Sequence, residues 1–236
     1  MTLVIDPVAT TVAAVLLIAV PIAFNAAFAA LAATFDYPDI LRRPTAEVLE
    51  RFRAGGSNLV LLWWAFAMTA ALLTPLAILL SVSLEGTGAA TAMAVAVTGT
   101  VASLVQFLGL IRWPFLVPYL ARESGDSVDN PARTEAIDVV FQAFNRYLGV
   151  AVGEHLGYLF TGLWSAAVGV AILQSTNVNG WIGIAGIVIG IAFALCSLEF
   201  VGPFEVKGWR LAGAATPVVY IVWSVWLVAT GVALLL

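Results

Sequence analysis

The chain has 236 residues, of which 62% are hydrophobic and 10% are charged, with a formal net charge of -4 and a mean hydropathy of +1.03. A water-soluble domain carries about 25% charged and roughly 45–50% apolar residues, so a soluble core of this length would leave large apolar patches in water. The charge balance also excludes an extended basic face for nucleic acid. With one cysteine and one histidine, the chain forms neither an internal disulfide nor a Cys/His metal cluster. These properties predict an integral membrane protein whose first partner is the lipid bilayer.

Six apolar stretches are long enough to cross a hydrocarbon core of ~30 Å, which takes about 20 helical residues. They do not alternate polar and apolar residues as the strands of a membrane β-barrel do. The predicted spans cover residues 8–34, 58–82, 89–120, 147–173, 181–200 and 211–236. The sequence therefore predicts an all-α, polytopic transmembrane helical bundle that forms a single domain over residues 1–236. The first stretch lacks the basic region that precedes a cleaved signal peptide, so we expect it to be retained as a span.

Nine of the ten basic residues lie in alternate connections between the spans, and the tenth, Arg112, lies within the third span. The segments after the first, third and fifth spans contain Arg42, Arg43, Arg51, Arg53, Arg122, Arg133, Arg146, Lys207 and Arg210. The other two connections and both termini contain no lysine or arginine. By the positive-inside rule, the basic connections face the cytoplasm and both termini lie outside it. This pattern predicts a multi-pass protein of the cell's inner (plasma) membrane.

The two longer cytoplasmic connections contain short amphipathic helices. The first runs from Pro44 to Gly56, and its apolar side is formed by Val48, Leu49 and Phe52. We expect this helix to lie flat in the membrane interface. The second begins at Asn130-Pro131, an N-cap followed by a first-turn proline, and continues into the fourth span. Tryptophans and tyrosines near the span ends, Tyr37 among them, are typical of an interfacial aromatic belt.

Small residues and prolines mark special positions within the spans. Glycines at four-residue intervals allow helix backbones to approach closely in lipid. Gly149, Gly153 and Gly157 of the fourth span have this spacing, and Gly183, Gly186 and Gly190 of the fifth span have a similar one. Prolines within spans are expected to kink their helices, and they are Pro21, Pro75, Pro114, Pro118 and Pro217.

The main polar cluster at membrane depth is Glu154-His155 in the fourth span. Polar groups at this depth are costly, and each raises a functional hypothesis. Glu154 begins a polar stripe at helical spacing that continues through Tyr158, Thr161 and Ser165. Arg112, in the third span, lies at a comparable depth and could reach Glu154.

Polar residues of other spans complete the candidate site. Gln106 and Arg112 are six residues apart and face different directions on an ideal helix, so we do not expect all candidates to share one site. The sequence predicts no metal ligands and assigns no cofactor or catalytic residue. The candidate ligand-binding residues are Asn25, Gln106, Arg112, Glu154, His155, Tyr158 and Glu199.

Two interpretations of these residues are open. In the functional one, Arg112 and Glu154 are charge partners in a polar pocket that opens to the cytoplasm, and His155 carries a proton. In the structural one, they form a buried pair that fixes helix register, with His155 hydrogen-bonded to a neighbour. For Glu199, the structural alternative is solvation at the cytoplasmic end of its span or pairing with Lys207 or Arg210.

Three stretches of the chain resemble a known family. They are GLIRWPF at 109–115, the segment RYLG…GEHLGY within 146–158, and SLEFVG at 197–202. They are similar to an uncharacterised bacterial integral membrane family, domain of unknown function 4386. The resemblance covers nearly the whole chain and implies a compact polytopic membrane protein, without activity or binding residues to transfer.

Three functional hypotheses follow, since the chain has no phosphate-binding loop, zinc-protease motif or hydrolase nucleophile elbow. The leading one is a small-molecule or lipid binding or transport protein with a cytoplasm-facing polar cavity between the third, fourth and fifth spans. The second is an accessory or assembly subunit, whose glycine surfaces contact a membrane protein partner or another copy of the chain. The third is a membrane-embedded enzyme that uses Glu154 or His155 as general acid or base.

Overall fold

The computed structural model describes residues 6–125 and 130–236, and in these two stretches the chain is helical. A π-helical segment, Asn145–Leu156, joins α6 to α7, and short 3₁₀ turns occur at Asp39–Arg42 and Gly202–Phe204. The α helices of the described residues are α1 Pro7–Phe35, α2 Thr45–Ala71, α3 Leu73–Ser81, α4 Ala89–Phe115, α5 Val117–Gly125, α6 Pro131–Phe144, α7 Gly157–Gln174, α8 Gly180–Cys196 and α9 Arg210–Leu235.

Five helical stretches of the described chain are long and apolar enough to cross a membrane. They are Pro7–Phe35, Thr45–Ser81, Ala89–Gly125, Pro131–Gln174 and Arg210–Leu235. The sixth apolar helix, α8, has 17 residues and ends at Cys196 rather than at residue 200 as predicted. Large apolar side chains along these helices face outward, such as Phe115 at 70% exposure and Ile184 at 57%. The predicted helical membrane bundle is therefore confirmed and the protein is multi-pass, whereas the orientation of its termini stays a prediction.

Two of the predicted spans each consist of two helices. The second span breaks at Leu72, three residues before Pro75, and the third breaks at Leu116, two residues before Pro118. A proline lacks the backbone N–H, and its ring clashes with the preceding turn, which favours a break at these positions. The other helices continue through their prolines, which are Pro21, Pro114 and Pro217.

The amphipathic helix after Pro44 packs on protein rather than on lipid. Gly56, with a φ of 56°, separates it from the membrane-spanning part of α2. Its apolar side chains are buried, and they are Val48, Leu49 and Phe52. They join an aromatic core in which Trp63 and Trp113 stack with ring centroids 4.4 Å apart. The helix therefore turns its apolar side to the protein core, and its flat position in the membrane interface stays a prediction.

Polar contacts join this helix to α6. The Thr45 hydroxyl donates to the Asp138 carboxylate and accepts a hydrogen bond from Gln142 Nε2 at 3.0 Å. As predicted, α6 begins at Asn130, whose side chain accepts a hydrogen bond from the Arg133 amide at 3.1 Å. It runs into the π-helical segment without an intervening loop, so α6 is connected directly to the polar residues of the fourth span.

Both predicted glycine surfaces are helix contacts within the chain. A Cβ atom on Gly109 of α4 would lie 2.6 Å from the Cα of Gly153 in the π-helical segment. Between α7 and α8, a Cβ on Gly183 would lie 2.6 Å from the Gly169 carbonyl oxygen, and one on Gly190 would lie 2.5 Å from the Gly162 carbonyl oxygen. Backbone packs directly on backbone at these points, as the spacing predicted.

Candidate functional site

A cavity of about 300 Å³ lies between α1, α4, the π-helical segment and α9. We call it the larger cavity. Apolar and aromatic side chains form much of its wall, including Phe24, Phe28, Phe66, Leu110, Trp113 and Ile221. Five of the seven predicted site residues line it, and they are Asn25, Gln106, Arg112, Glu154 and Tyr158. Polar groups thus converge in an otherwise apolar pocket, which is the usual composition of a small-molecule site.

A second cavity, of about 150 Å³, lies between the π-helical segment and the end of α8. This smaller cavity is lined by the other two predicted residues, His155 and Glu199. Glu154 and Tyr158 line both cavities and therefore belong to the wall between them. The candidate residues are thus divided between two cavities, and the division runs through Glu154 rather than between Gln106 and Arg112.

Gln106 and Arg112 line the same cavity because the arginine side chain turns back along α4. Its Nη1 donates to the carbonyl of Gly109, one turn earlier in the helix. Helical side chains lean toward the N-terminus of their helix, and this lean brings the guanidinium to the face that carries Gln106. The expectation from ideal helix geometry that the two residues diverge is therefore wrong.

The Arg112 guanidinium has neutral hydrogen-bond partners. Besides the Gly109 carbonyl, it donates from Nη2 to Asn145 Oδ1 at 3.0 Å, and it lies 5.4 Å from the Trp113 ring centroid. Among the described residues, no carboxylate lies within ion-pair distance of it. The predicted Arg112–Glu154 ion pair is therefore not formed, although both side chains face the larger cavity.

The Glu154 carboxylate is half-buried and faces both cavities. Within residues 6–125 and 130–236, it accepts no hydrogen bond and forms no ion pair. A polar group at membrane depth without a partner is costly. The carboxylate is therefore available to a ligand, a proton or water, and not committed to holding two helices in register.

Tyr37 and Tyr220 belong to the larger cavity although the sequence did not indicate them. Tyr37 lies in the turn after α1, where burial raises the pKa of its phenol to about 12; the Glu154 carboxylate raises this pKa further and the Arg112 guanidinium lowers it. Tyr37 is thus a neutral hydrogen-bond donor close to both charges. Tyrosines near span ends are equally typical of an interfacial aromatic belt, so the sequence position of Tyr37 did not indicate a site residue. For Tyr220, the sequence signal that could have indicated a site residue was its position four residues after Thr216 on the apolar helix α9.

Asn25 and Gln106 fix helices at the edge of the larger cavity. Asn25 Nδ2 donates to the Pro21 carbonyl at 2.7 Å and to Ser224 Oγ of α9 at 2.9 Å. Gln106 Nε2 donates to Thr161 Oγ1 of α7 at 2.7 Å. Thr161 is buried, so the predicted polar stripe divides: its first part, Glu154 and Tyr158, faces the cavities, and the rest forms helix–helix hydrogen bonds.

His155, from the π-helical segment, and Glu199, from the turn after α8, both line the smaller cavity. His155 Nδ1 donates to the Ser197 carbonyl at 2.7 Å, and a carbonyl only accepts, so the neutral ring leaves Nε2 as its acceptor. The Glu199 carboxylate packs against α9, where a Cβ on Gly213 would lie 2.6 Å from Oε1. The pairing of Glu199 with Lys207 or Arg210 is not formed among the described residues.

The π-helical segment that carries Glu154 and His155 was not predicted. Its 12 residues hydrogen-bond from i to i+5, a rare geometry that is frequent at functional sites. Gly149 and Gly153 lie within it: a Cβ on Gly149 would lie 2.6 Å from Arg112 Nη2. The glycines therefore let the segment pack closely against α4, so that Arg112 and Glu154 line the same cavity.

Comparison with known proteins gives one match. A family model described as "Domain of unknown function (DUF4386)" matches residues 12–231, a region that contains every residue lining the two cavities. Neither the curated proteins nor the solved structures gave a match. Within the described part of the chain, no three His, Cys, Asp or Glu side chains form a group that could hold a metal ion.

Proposed function

The chain belongs to the DUF4386 family, and we propose that it binds a small amphiphilic molecule with an anionic head group in the larger cavity. The proposal rests on the surroundings of Arg112. Its guanidinium is always charged, lines the cavity, and has only neutral partners among the described residues. A cation at membrane depth calls for a counter-charge, and a carboxylate or phosphate would supply it through paired hydrogen bonds.

The rest of the cavity wall suits the apolar part of such a ligand. Aromatic rings from α1, α2 and α9 face the space beside the arginine, among them Phe24, Phe66 and Tyr220. A volume of about 300 Å³ lies at the small end of the range for ligand pockets. This size favours a short amphiphile over a whole phospholipid. The phenols of Tyr37 and Tyr158 add donors for the head group.

The cavity reaches the basic side of the protein. Pro38 and Leu41, in the connection between α1 and α2, line one end of it, and this connection carries Arg42 and Arg43. Under the positive-inside rule, that side faces the cytoplasm. We infer a location in the inner membrane with both termini outside the cytoplasm, and a ligand that enters or leaves from the cytoplasmic side, as a carrier requires.

Three probes with one alkyl chain and different head groups test the proposal: octanoate, octanol and octylammonium. Binding is measured by calorimetry on protein in lipid nanodiscs, with empty nanodiscs as the control for partition into lipid. Octanoate is expected to bind most tightly. Arg112→Gln removes charge-assisted hydrogen bonds, and its octanoate affinity is expected to fall about 10–100-fold.

Arg146→Gln is the matched control for this substitution. Arg146 forms an exposed ion pair with Glu205 at 2.7 Å and lines neither cavity. Its loss should leave octanoate binding unchanged. Equal affinities for the three head groups, or equal losses in the two arginine variants, would refute the proposal. Native mass spectrometry of protein from its own membranes then distinguishes a resident lipid fragment from a soluble metabolite.

The accessory-subunit hypothesis loses its main support, because the glycine surfaces pack within the chain rather than facing a partner. The enzyme hypothesis retains one supporting observation: Glu154 and His155 line the same smaller cavity. It predicts a pH-dependent activity on a lipophilic substrate that is absent in His155→Ala.

A further inference from the structure

Glu154 lies where the two cavities meet, so its side chain connects the proposed ligand site in the larger cavity with the smaller cavity. In the larger cavity it shares the wall with Arg112, and in the smaller cavity with His155 and Glu199. Its carboxylate is not occupied by a protein partner among the described residues. A group in this position senses the charge of a ligand on one side and exchanges with water on the other.

Titratable and charged groups from each neighbouring element face Glu154. Arg112 comes from α4, Tyr37 from the turn after α1, and Tyr220 from α9. The end of α8 and the following turn contribute Cys196 and Glu199, and the fourth span itself contributes His155 and Tyr158. Arg112 carries the only fixed positive charge of this set, so a deprotonated Glu154 balances it when the larger cavity is empty.

An anionic ligand changes this balance. With the ligand beside Arg112, a deprotonated Glu154 would leave an excess negative charge in a low-dielectric site, and like charges in one site favour protonation of one of them. We propose that anion binding in the larger cavity is coupled to the uptake of one proton by Glu154 through the smaller cavity. This inference rests on the proposed function. It makes the loaded site electrically neutral, as suits a carrier that moves an anion through a bilayer.

The smaller cavity provides the route for the proton. Its volume of about 150 Å³ accommodates several water molecules, each of which needs about 30 Å³ or less. Val201 lines this cavity and is exposed at the turn after α8. The outer end of the cavity therefore lies on the predicted cytoplasmic side. His155 lines the route with Nδ1 held by the Ser197 carbonyl. In the net step, an acid in the water gives up a proton and an O–H bond forms on the Glu154 carboxyl group, with no electron transfer.

Calorimetric titration with octanoate in two buffers of different ionisation enthalpy tests the coupling. The difference between the two heats gives the number of protons taken up per bound octanoate. In the wild-type protein, this number is expected to be close to one where the empty site holds a deprotonated Glu154, and to fall as the pH is lowered and Glu154 becomes protonated before octanoate binds. Affinity is expected to fall as the pH rises over the same range.

Glu154→Gln mimics the protonated state and is expected to bind octanoate without proton uptake at any pH. Glu205→Gln, which alters a carboxylate outside both cavities, should behave like the wild type. Octanoate binding by the wild type with no proton uptake at any pH would overturn the coupling and leave the proposed function standing. Uptake that persists in Glu154→Gln would assign the proton to another group and also overturn it. A lack of octanoate binding by the wild type would instead refute the proposed function.

Discussion

The contact between Gly109 and Gly153 sets the distance between α4 and the π-helical segment, so Gly109→Ala should disturb the walls of the larger cavity. The added Cβ would lie 2.6 Å from Gly153 Cα and 3.2 Å from the Leu148 carbonyl oxygen. Carbon atoms in contact are normally about 3.5–4.0 Å apart. Both neighbours are backbone atoms that no rotamer change can move, so the two helices must separate by about 1 Å.

The cost of this separation can be isolated with a second glycine. Overpacking of this kind costs about 1–3 kcal/mol, while alanine gains about 1 kcal/mol over glycine in helix propensity. Gly180→Ala makes the same chemical change, but its Cβ would lie at an ordinary 3.5 Å from Leu173 Cδ2. Gly180 is the first residue of α8, where the propensity gain is smaller than inside a helix, so the difference between the variants cancels this gain only in part. Gly109→Ala should therefore be less stable than Gly180→Ala by about 1–2 kcal/mol.

Thermal unfolding in detergent, followed by far-ultraviolet circular dichroism, compares the two variants. For a chain of this size, each 1 kcal/mol shifts the midpoint by about 2–4 °C. Octanoate affinity should fall in Gly109→Ala and not in Gly180→Ala, because only the first moves a cavity wall. Equal midpoints and equal affinities would refute the close packing of α4 on the π-helical segment.

Three further predictions concern contacts around the site. Trp223→Phe removes the hydrogen bond from Nε1 to Ser165 Oγ at 3.0 Å and should cost about 1 kcal/mol in unfolding experiments. Thr45→Val removes the contact with Asp138, and amide hydrogen exchange in α6 should become faster. The pKa of Tyr37 is raised from 10.0 to about 12. Its contribution to stability is complete below pH 10 and is lost as the pH rises toward 12, so a Tyr37→Phe variant should lose less stability over that interval.

The spans were predictable because the apolar runs are long and sparsely charged. The first was predicted at residues 8–34 and is Pro7–Phe35. The fifth span was predicted to continue to residue 200, but the helix ends at Cys196. The turn that follows is closed by a hydrogen bond from the Trp209 amide to the Glu199 carbonyl at 2.7 Å. A hydropathy pattern does not distinguish an apolar turn from an apolar helix, which explains the difference.

The candidate site was predictable in composition but not in arrangement. Arg112 and Glu154 stand out in the sequence because charges are rare within apolar runs. Their relative placement depends on the backward lean of the arginine and on the π-helical segment, and neither follows from an ideal α-helical period. The cavities themselves depend on distances between helices that are remote in sequence, such as the Asn25–Ser224 hydrogen bond between α1 and α9.

The position of a bound anion would show whether the larger cavity holds an anionic amphiphile beside Arg112. Crystals of the protein grown with octanoate labelled by bromine at its far end would locate the ligand by anomalous scattering. We expect a carboxylate against the Arg112 guanidinium and a bromine peak among the rings of Phe24, Phe66 and Tyr220. Bromine peaks confined to the outer, lipid-facing surface of the bundle, with the cavity free of ligand, would contradict this expectation.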